Sequence, residues 1–171
     1  MKNQKKMRIF QKAQIEDLER IVQIYNESIP SRMSTADIEP IPSKERHSWF
    51  VQRDWSRYPI WVIKEEATIL GWCAIGPFYG RKAYEGIGEI SIYLSLQFQQ
   101  KGIGRAALSF IIIEAKKIQF HTLLAYVFEQ NSPSMKLFDL AGFRPFGRIP
   151  QAAHFPDATR DLVILGVSLN P

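Results

Sequence analysis

The run Glu89-Ile90-Ser91-Ile92-Tyr93-Leu94, followed after a glutamine-rich turn by Gln99-Gln100-Lys101-Gly102-Ile103-Gly104-Arg105, decides how this chain of 171 residues folds. In the first run polar and apolar residues alternate. Glu89, Ser91 and Tyr93 therefore share one face of a strand, and Ile90, Ile92 and Leu94 share the other. The second run places two glycines directly before an apolar stretch with helical spacing, which predicts a helix to about residue 118. Glycine lets the backbone approach a ligand, and a helix start adds partial positive charge. The turn thus suits a pyrophosphate held by backbone N–H groups, with Lys101 and Arg105 adding charge at the rim. A plain glycine turn opening a helix fits the same residues. Other nucleotide motifs fit poorly. A P-loop ends in Gly-Lys-Ser/Thr, whereas Gly104 precedes Arg105-Ala106. A dinucleotide fingerprint needs a third glycine and a later acidic residue, and the companion motifs of a kinase are missing.

On the N-terminal side, the pattern predicts a strand over 7–13 and an amphipathic helix over 15–28, with Leu18, Ile21, Val22 and Tyr25 at helical spacing. Residues 30–42 hold three prolines plus Ser31, Ser34 and Thr35, a loop expected over a site. Ser43 reads as the N-cap of a helix to about residue 54, with His47, Phe50 and Val51 on one side. Strands follow over 61–64 and 69–75, the second ended by Gly76-Pro77, and then a three-glycine loop over 78–88. Beyond the central helix come a strand over 122–128, a helix over 132–141 with Gly142 at its C-terminus, and a strand over 144–149. A polar loop then leads to a last strand over 162–169. This alternation predicts an α/β (or α+β) fold in one domain, residues 7–171, with a mixed sheet of six or seven strands flanked by helices. Residues 1–6, crowded with Lys2, Lys5 and Lys6, read as a disordered basic head.

Composition narrows the function. The net charge of +5 comes from 22 basic and 17 acidic side chains, and it suits an anionic cofactor as well as a nucleic acid or membrane surface. No basic cluster interleaved with aromatic residues points to nucleic acid. The longest apolar clusters, such as Phe110-Ile111-Ile112-Ile113, are too short to span a bilayer, and no signal peptide is visible. Cys73, the single cysteine, lies in an apolar run and reads as a buried, inert thiol in a reduced, cytoplasmic protein. Trp49, Trp55, Trp61, Trp72, Phe110 and Phe143 read mainly as core or interface.

The segment from Ile90 to Arg105 resembles the acetyl-CoA motif of GNAT N-acetyltransferases, a strand followed by Gln/Arg-x-x-Gly-x-Gly/Ala at the next helix. Asn131-Ser132-Pro133-Ser134 and the stretch ending in Ala141-Gly142-Phe143 resemble that family's second block. Closer still, Ile24-Tyr25-Asn26, Ser34-Thr35-Ala36, Glu39-Pro40, Gly76-Pro77-Phe78, Arg81-Lys82-Ala83-Tyr84 and the Glu89 strand are similar to the phosphinothricin acetyltransferase branch. The resemblance runs from about residue 7 to residue 169. It implies an acyl-CoA N-acyltransferase fold in which acetyl-CoA fills a gap between the Glu89 strand and the strand over 122–128. On that likeness, backbone groups of Ile92, Tyr93 and Leu94 hold the pantetheine arm. Gln100, Lys101, Gly102, Ile103, Gly104 and Arg105 take the pyrophosphate, and Asn131 contacts the cofactor.

The resemblance further implies direct transfer of acetyl to an amine, with Glu89 as general base. The acceptor lies near Phe78, Arg81, Tyr84 and Asp161, and Arg81 is placed to pair with a substrate carboxylate. No metal is expected. The implied partners are a small amine, an amino acid or its analogue, and a second copy of the chain in a homodimer. Two features depart from the branch. Phe138 stands where a tyrosine or histidine protonates the leaving thiolate, so water serves or the thiolate leaves unprotonated. The substrate loop reads Ala153-His154-Phe155-Pro156-Asp157-Ala158-Thr159-Arg160-Asp161, in which only Asp161 survives. A protein, polyamine or antibiotic amine is the rival acceptor, and an acetyl-CoA sensor without turnover the rival role.

Overall fold

The computed structural model describes residues 7–169, so the expected basic head falls outside the described residues. Seven strands make one sheet: β1 (Arg8–Lys12), β2 (Ile60–Glu65), β3 (Thr68–Pro77), β4 (Ile87–Leu94), β5 (Thr122–Phe128), β6 (Arg144–Phe155) and β7 (Ala158–Ser168). Their order across the sheet is β1-β2-β3-β4-β5-β7-β6, and every neighbouring pair is antiparallel except β4 with β5. The helices are α1 (Leu18–Ser28), α2 (Ser43–Val51), α3 (Ile103–Lys117) and α4 (Ser132–Leu140). This is the mixed α/β sheet that the sequence predicts, at the upper of the two strand counts.

The period-two alternation of each strand divides the core into two layers. Ile60, Val62, Trp72 and Ala74 face α1 and α2, packing on Leu18, Ile21, Val22 and Phe50. Trp61, Cys73, Ile75, Ile90, Leu123 and Ala125 face the other way, onto Leu108, Ile111 and Ala115 of α3 and Phe138 of α4. Gly71 is required where β3 passes β4, because a Cβ there would come within 2.6 Å of the Tyr93 carbonyl oxygen. Cys73 is fully buried, which pushes its thiol up and keeps it protonated.

Four details correct the sequence reading. Pro42 is the N-cap of α2 and Ser43 its first helical residue, so the expected serine cap is not formed. In α2 only Phe50 is buried; His47 is exposed and Val51 is 49% exposed. A short 3-10 turn at Ile15–Asp17 precedes α1, which therefore starts later than its periodicity predicts. The polar loop expected after residue 149 is strand instead. β6 and β7 form a long hairpin through Ala153↔Arg160 and Phe155↔Ala158, with irregular register between Ile149 and Ala153.

Phe138 is 7% exposed and packs edge-on against Phe143 at 5.0 Å between ring centroids. Its ring is core, with no proton to donate. Phe138→Ala is therefore expected to lower unfolding free energy by about 3–5 kcal/mol in denaturant titration. A fully stable variant would contradict this placement.

Candidate active site

The sheet opens between β4 and β5. β4 and β5 pair only through Ile87↔Thr122, Gly88↔Leu123 and Glu89↔Leu124. Glu89 is the last residue of β4 with a partner on β5, and the strands separate immediately beyond it. From Ile90 to Leu94, β4 keeps its register with β3 alone. Alternate residues of that stretch point their N–H and C=O groups at β3, Tyr93 among them, so those of Ile90, Ile92 and Leu94 face a cleft with no strand across it. The cleft leads to the start of α3, whose N-cap is Gly102 at φ +73° with no side-chain cap. The first intrahelical bond is donated by Ala106 to Gly102 at 3.2 Å, which leaves the N–H groups of Ile103, Gly104 and Arg105 directed outward. Gln100 also has a positive φ, +59°, so two left-handed residues flank Lys101. Lys101 and Arg105 are both exposed. A Cβ added at Gly104 would meet only Leu137, at 3.4 Å, and Leu94, so α4 lies beside the first turn of α3. Uncapped N–H groups, a left-handed turn and two basic side chains together fit a phosphate group.

Glu89 lies on the α1–α2 face of β4 with Ser91 and Tyr93. It is half-buried, and desolvation raises its carboxyl above the ordinary value of 4.5. By register, Tyr126 lies on the same face of β5, two residues beyond Leu124. Its hydroxyl is raised by burial and then by the charge of Glu89, so the two groups are electrostatically coupled. Strand alternation within 122–128 was the available signal for Tyr126, but only the parallel register brings it beside Glu89.

The loop ahead of α2 crosses this face. The Tyr93 hydroxyl donates to the Ser34 carbonyl at 3.2 Å, Asn131 Nδ2 to the Met33 carbonyl at 2.9 Å, and Arg160 Nε to the Arg32 carbonyl at 3.1 Å. Arg32 also pairs with Asp157 of the β6–β7 hairpin. The 30–42 segment therefore lies over Glu89's face of the sheet. Asn131 also caps α4, its Oδ1 accepting from the Ser134 N–H at 3.2 Å.

The remaining candidate residues divide into two groups. Phe78, Arg81 and Tyr84 are in the loop that joins β3 to β4, at the Glu89 end of the strand, since Pro77 pairs with Gly88. Phe78 and Tyr84 are in edge contact at 5.7 Å, and Arg81 lies over the Tyr79 ring at 5.8 Å. Asp161 is not brought to Glu89. It stands beside Glu129 past the end of β5, about 17 Å along the strand from the Glu89 level. Its carboxylate accepts from Arg148 and from the Gln151 N–H, both at 2.6 Å. His154 is exposed on the hairpin. Among the described residues no group of three His, Cys, Asp or Glu side chains could hold a metal ion.

With this geometry, the comparisons with known proteins agree. The family described as acetyltransferase (GNAT) matches residues 18–143, and this chain belongs to it. YwnH of Bacillus subtilis (strain 168), provisionally named a phosphinothricin acetyltransferase, is 38% identical over 159 residues, 92% of this chain and 97% of that protein. The L-methionine sulfoximine/L-methionine sulfone acetyltransferase of Pseudomonas aeruginosa is 28% identical over 160 residues, 93% of each. Among solved structures, a GNAT superfamily phosphinothricin acetyltransferase from Sinorhizobium meliloti in complex with acetyl-CoA superposes with a TM-score of 0.89. It is 26% identical, over 95% of this chain and 89% of that one.

The raised Glu89 carboxyl gives a stability prediction with a defined sign. A folded-state value above the unfolded one means that folding favours the neutral form. The resulting stability is complete below about 4.5 and is lost as pH rises through the raised value. Glu89→Gln carries no charge at any pH and escapes that loss. Urea titrations are expected to find wild type and variant alike in acid, and the variant more stable at neutral pH. A variant less stable at neutral pH would show that the charged carboxylate has a stabilising partner.

Proposed function

We propose that this protein transfers the acetyl group of acetyl-CoA to the α-amine of a small amino acid or amino-acid analogue, directly, in a ternary complex. The observation that carries the reading is the separation of β4 from β5 immediately after Glu89. Backbone groups of Ile92 and Leu94 would bind the pantetheine arm as an added strand would. The turn from Gln100 to Arg105 would receive the pyrophosphate, and Asn131 would close the cleft at α4. Acetyl-CoA brings an activated thioester, and no covalent enzyme intermediate is needed. The chain has to desolvate, orient and deprotonate the amine, and to give the carbonyl oxygen an N–H donor from the unpaired edge of β4.

Glu89 takes the proton of the incoming ammonium, directly or through a water. Its raised proton affinity suits that role, because a base works best with a pKa near the working pH. Phe138 gives no proton, so the thiolate departs unprotonated or takes one from water. Arg81 at the mouth of the strand pairs with the acceptor's carboxylate, a likeness shared with the phosphinothricin acetyltransferase branch. In this reading Asp161 holds the hairpin that borders the acceptor side through Arg148. The proposal includes a homodimer, supported by resemblance to that branch, and a cytoplasmic setting, which the free buried thiol of Cys73 suits.

The test is an amine panel with detection of released thiol. Free α-amino acids and their oxidised-sulfur or phosphinic analogues are expected to be acetylated, with amides and decarboxylated amines poor. Glu89→Gln should lower kcat by about two to four orders of magnitude, and the deficit should shrink as pH rises and more amine is already neutral. Equal kinetics on acid and amide would instead favour a polyamine, antibiotic or protein amine. Acetyl-CoA binding without thiol release for any amine would indicate a sensor.

A further inference from the structure

Arg53, two residues beyond the end of α2, is fastened to the outer edge of β3. Its Nε donates to the Tyr58 carbonyl and its Nη2 to the Ile75 carbonyl at 2.6 Å, and its guanidinium lies over the Trp49 ring at 5.1 Å. Among the described residues no carboxylate pairs with it, and Nη1 has no hydrogen-bond partner. Burial lowers the guanidinium from its ordinary 12.5 to about 10, so the fold holds this charge at a cost. The two carbonyls hold the fork in place without neutralising it. An anion from outside the chain would do so.

Gly76 lies between Arg53 and Glu89. It stands opposite Glu89 in the β3–β4 ladder and so shares its face. A Cβ built on Gly76 would find only two atoms within 4 Å, the Glu89 carbonyl oxygen at 3.9 Å and Arg53 Nη2 at 4.0 Å. The floor between the guanidinium and the Glu89 side chain is therefore bare backbone with open space above it. Trp49 also walls a cavity of about 200 Å³ that Tyr25, Arg46, Trp72 and Tyr93 line farther along the strands, so there is room beside this niche for the rest of an acceptor.

The niche has the span of a zwitterion. Amine and carboxylate oxygens of an α-amino acid are about 3 Å apart, and adjacent strands about 5 Å. An amine at Glu89, on the strand that borders the cofactor cleft, brings its own carboxylate over Gly76 and beside Arg53. We infer that Arg53 determines acceptor specificity by receiving the α-carboxylate in the niche over Gly76. The inference rests on the amino-acid reading of the site and adds a residue to it. A carboxylate accepts several hydrogen bonds, so Arg53 holds it from the β3 edge while the exposed Arg81 holds it from the mouth. A strut joining α2 to β3 would account for the two carbonyl bonds of Arg53. It would not require an open floor at Gly76.

The test exploits that difference. kcat/KM is measured for L-methionine sulfone and for its carboxamide, and the acid-to-amide ratio is followed across variants, so that differences in amine basicity cancel. Wild type is expected to favour the acid at least tenfold. Gly76→Ala adds a methyl group that meets nothing nearer than 3.9 Å, so melting temperature and acetyl-CoA affinity should stay at their wild-type values. Its ratio should nonetheless fall severalfold, through a raised KM for the acid. Arg53→Lys keeps the charge and loses the fork, and its ratio should fall about tenfold whatever happens to its stability. A ratio unchanged in both variants would overturn the niche and leave the carboxylate to Arg81 alone. The amino-acid reading fails by a different result, wild type itself turning over acid and amide equally well.

Discussion

Three residue pairs between β4 and β5 organise this protein. A parallel pair that continued in register to Tyr93 and Phe128 would satisfy its own backbone and close the sheet. By stopping at Glu89, the pairing leaves a row of peptide groups inside the molecule, where unpaired N–H and C=O groups are costly. An extended ligand with amide groups relieves that cost, as an added strand would. The strands can separate because each is held from its other side. β4 is fixed to β3 from Gly88 to Leu94, and β5 to β7 from Thr122↔Ser168 to Phe128↔Leu162. The long β6–β7 hairpin thus supports the cleft it does not line.

Chemistry collects where the separation begins. Glu89 shares a face with Tyr126 on the other strand, and burial raises both groups. Burial also raises Tyr93, which lies farther along β4, and carries Tyr25 up to about 12, with the Asp37 hydrogen bond adding to the effect. These hydroxyls remain neutral donors at physiological pH. The segment over them is fastened to β4, to the α4 cap and to the hairpin through three carbonyls in a row, those of Arg32, Met33 and Ser34. The loop is held by side chains as well, Arg32 on Asp157 and both Thr35 and Asp37 on the Tyr25 hydroxyl.

The sequence made the central half of the molecule legible. Alternation in Glu89–Leu94 and the glycines at 102 and 104 located the strand, the turn and the helix, because local geometry dictates those residue types. The hairpin was misread as a loop because β6 is an edge strand whose residues are nearly all exposed, so neither face needs apolar side chains and no alternation is written. The cavity was hidden for another reason. Tyr25, Arg46, Trp72 and Tyr93 come from four separate elements, and the two tryptophans at its wall read as core or interface. Asp161 reads as a substrate residue from its surviving place in the loop, and the sequence gives no sign that its carboxylate accepts from Arg148 and the Gln151 N–H.

The claim that the unpaired edge of β4 receives acetyl-CoA is tested most directly by amide hydrogen exchange, followed residue by residue with and without the cofactor. Protection should rise at the cleft-facing amides between Ile90 and Leu94 and at Ile103, Gly104 and Arg105, with little change along β2 or β6. Unchanged exchange at those amides, or protection gathered on another surface while acetyl-CoA is bound, would contradict the account.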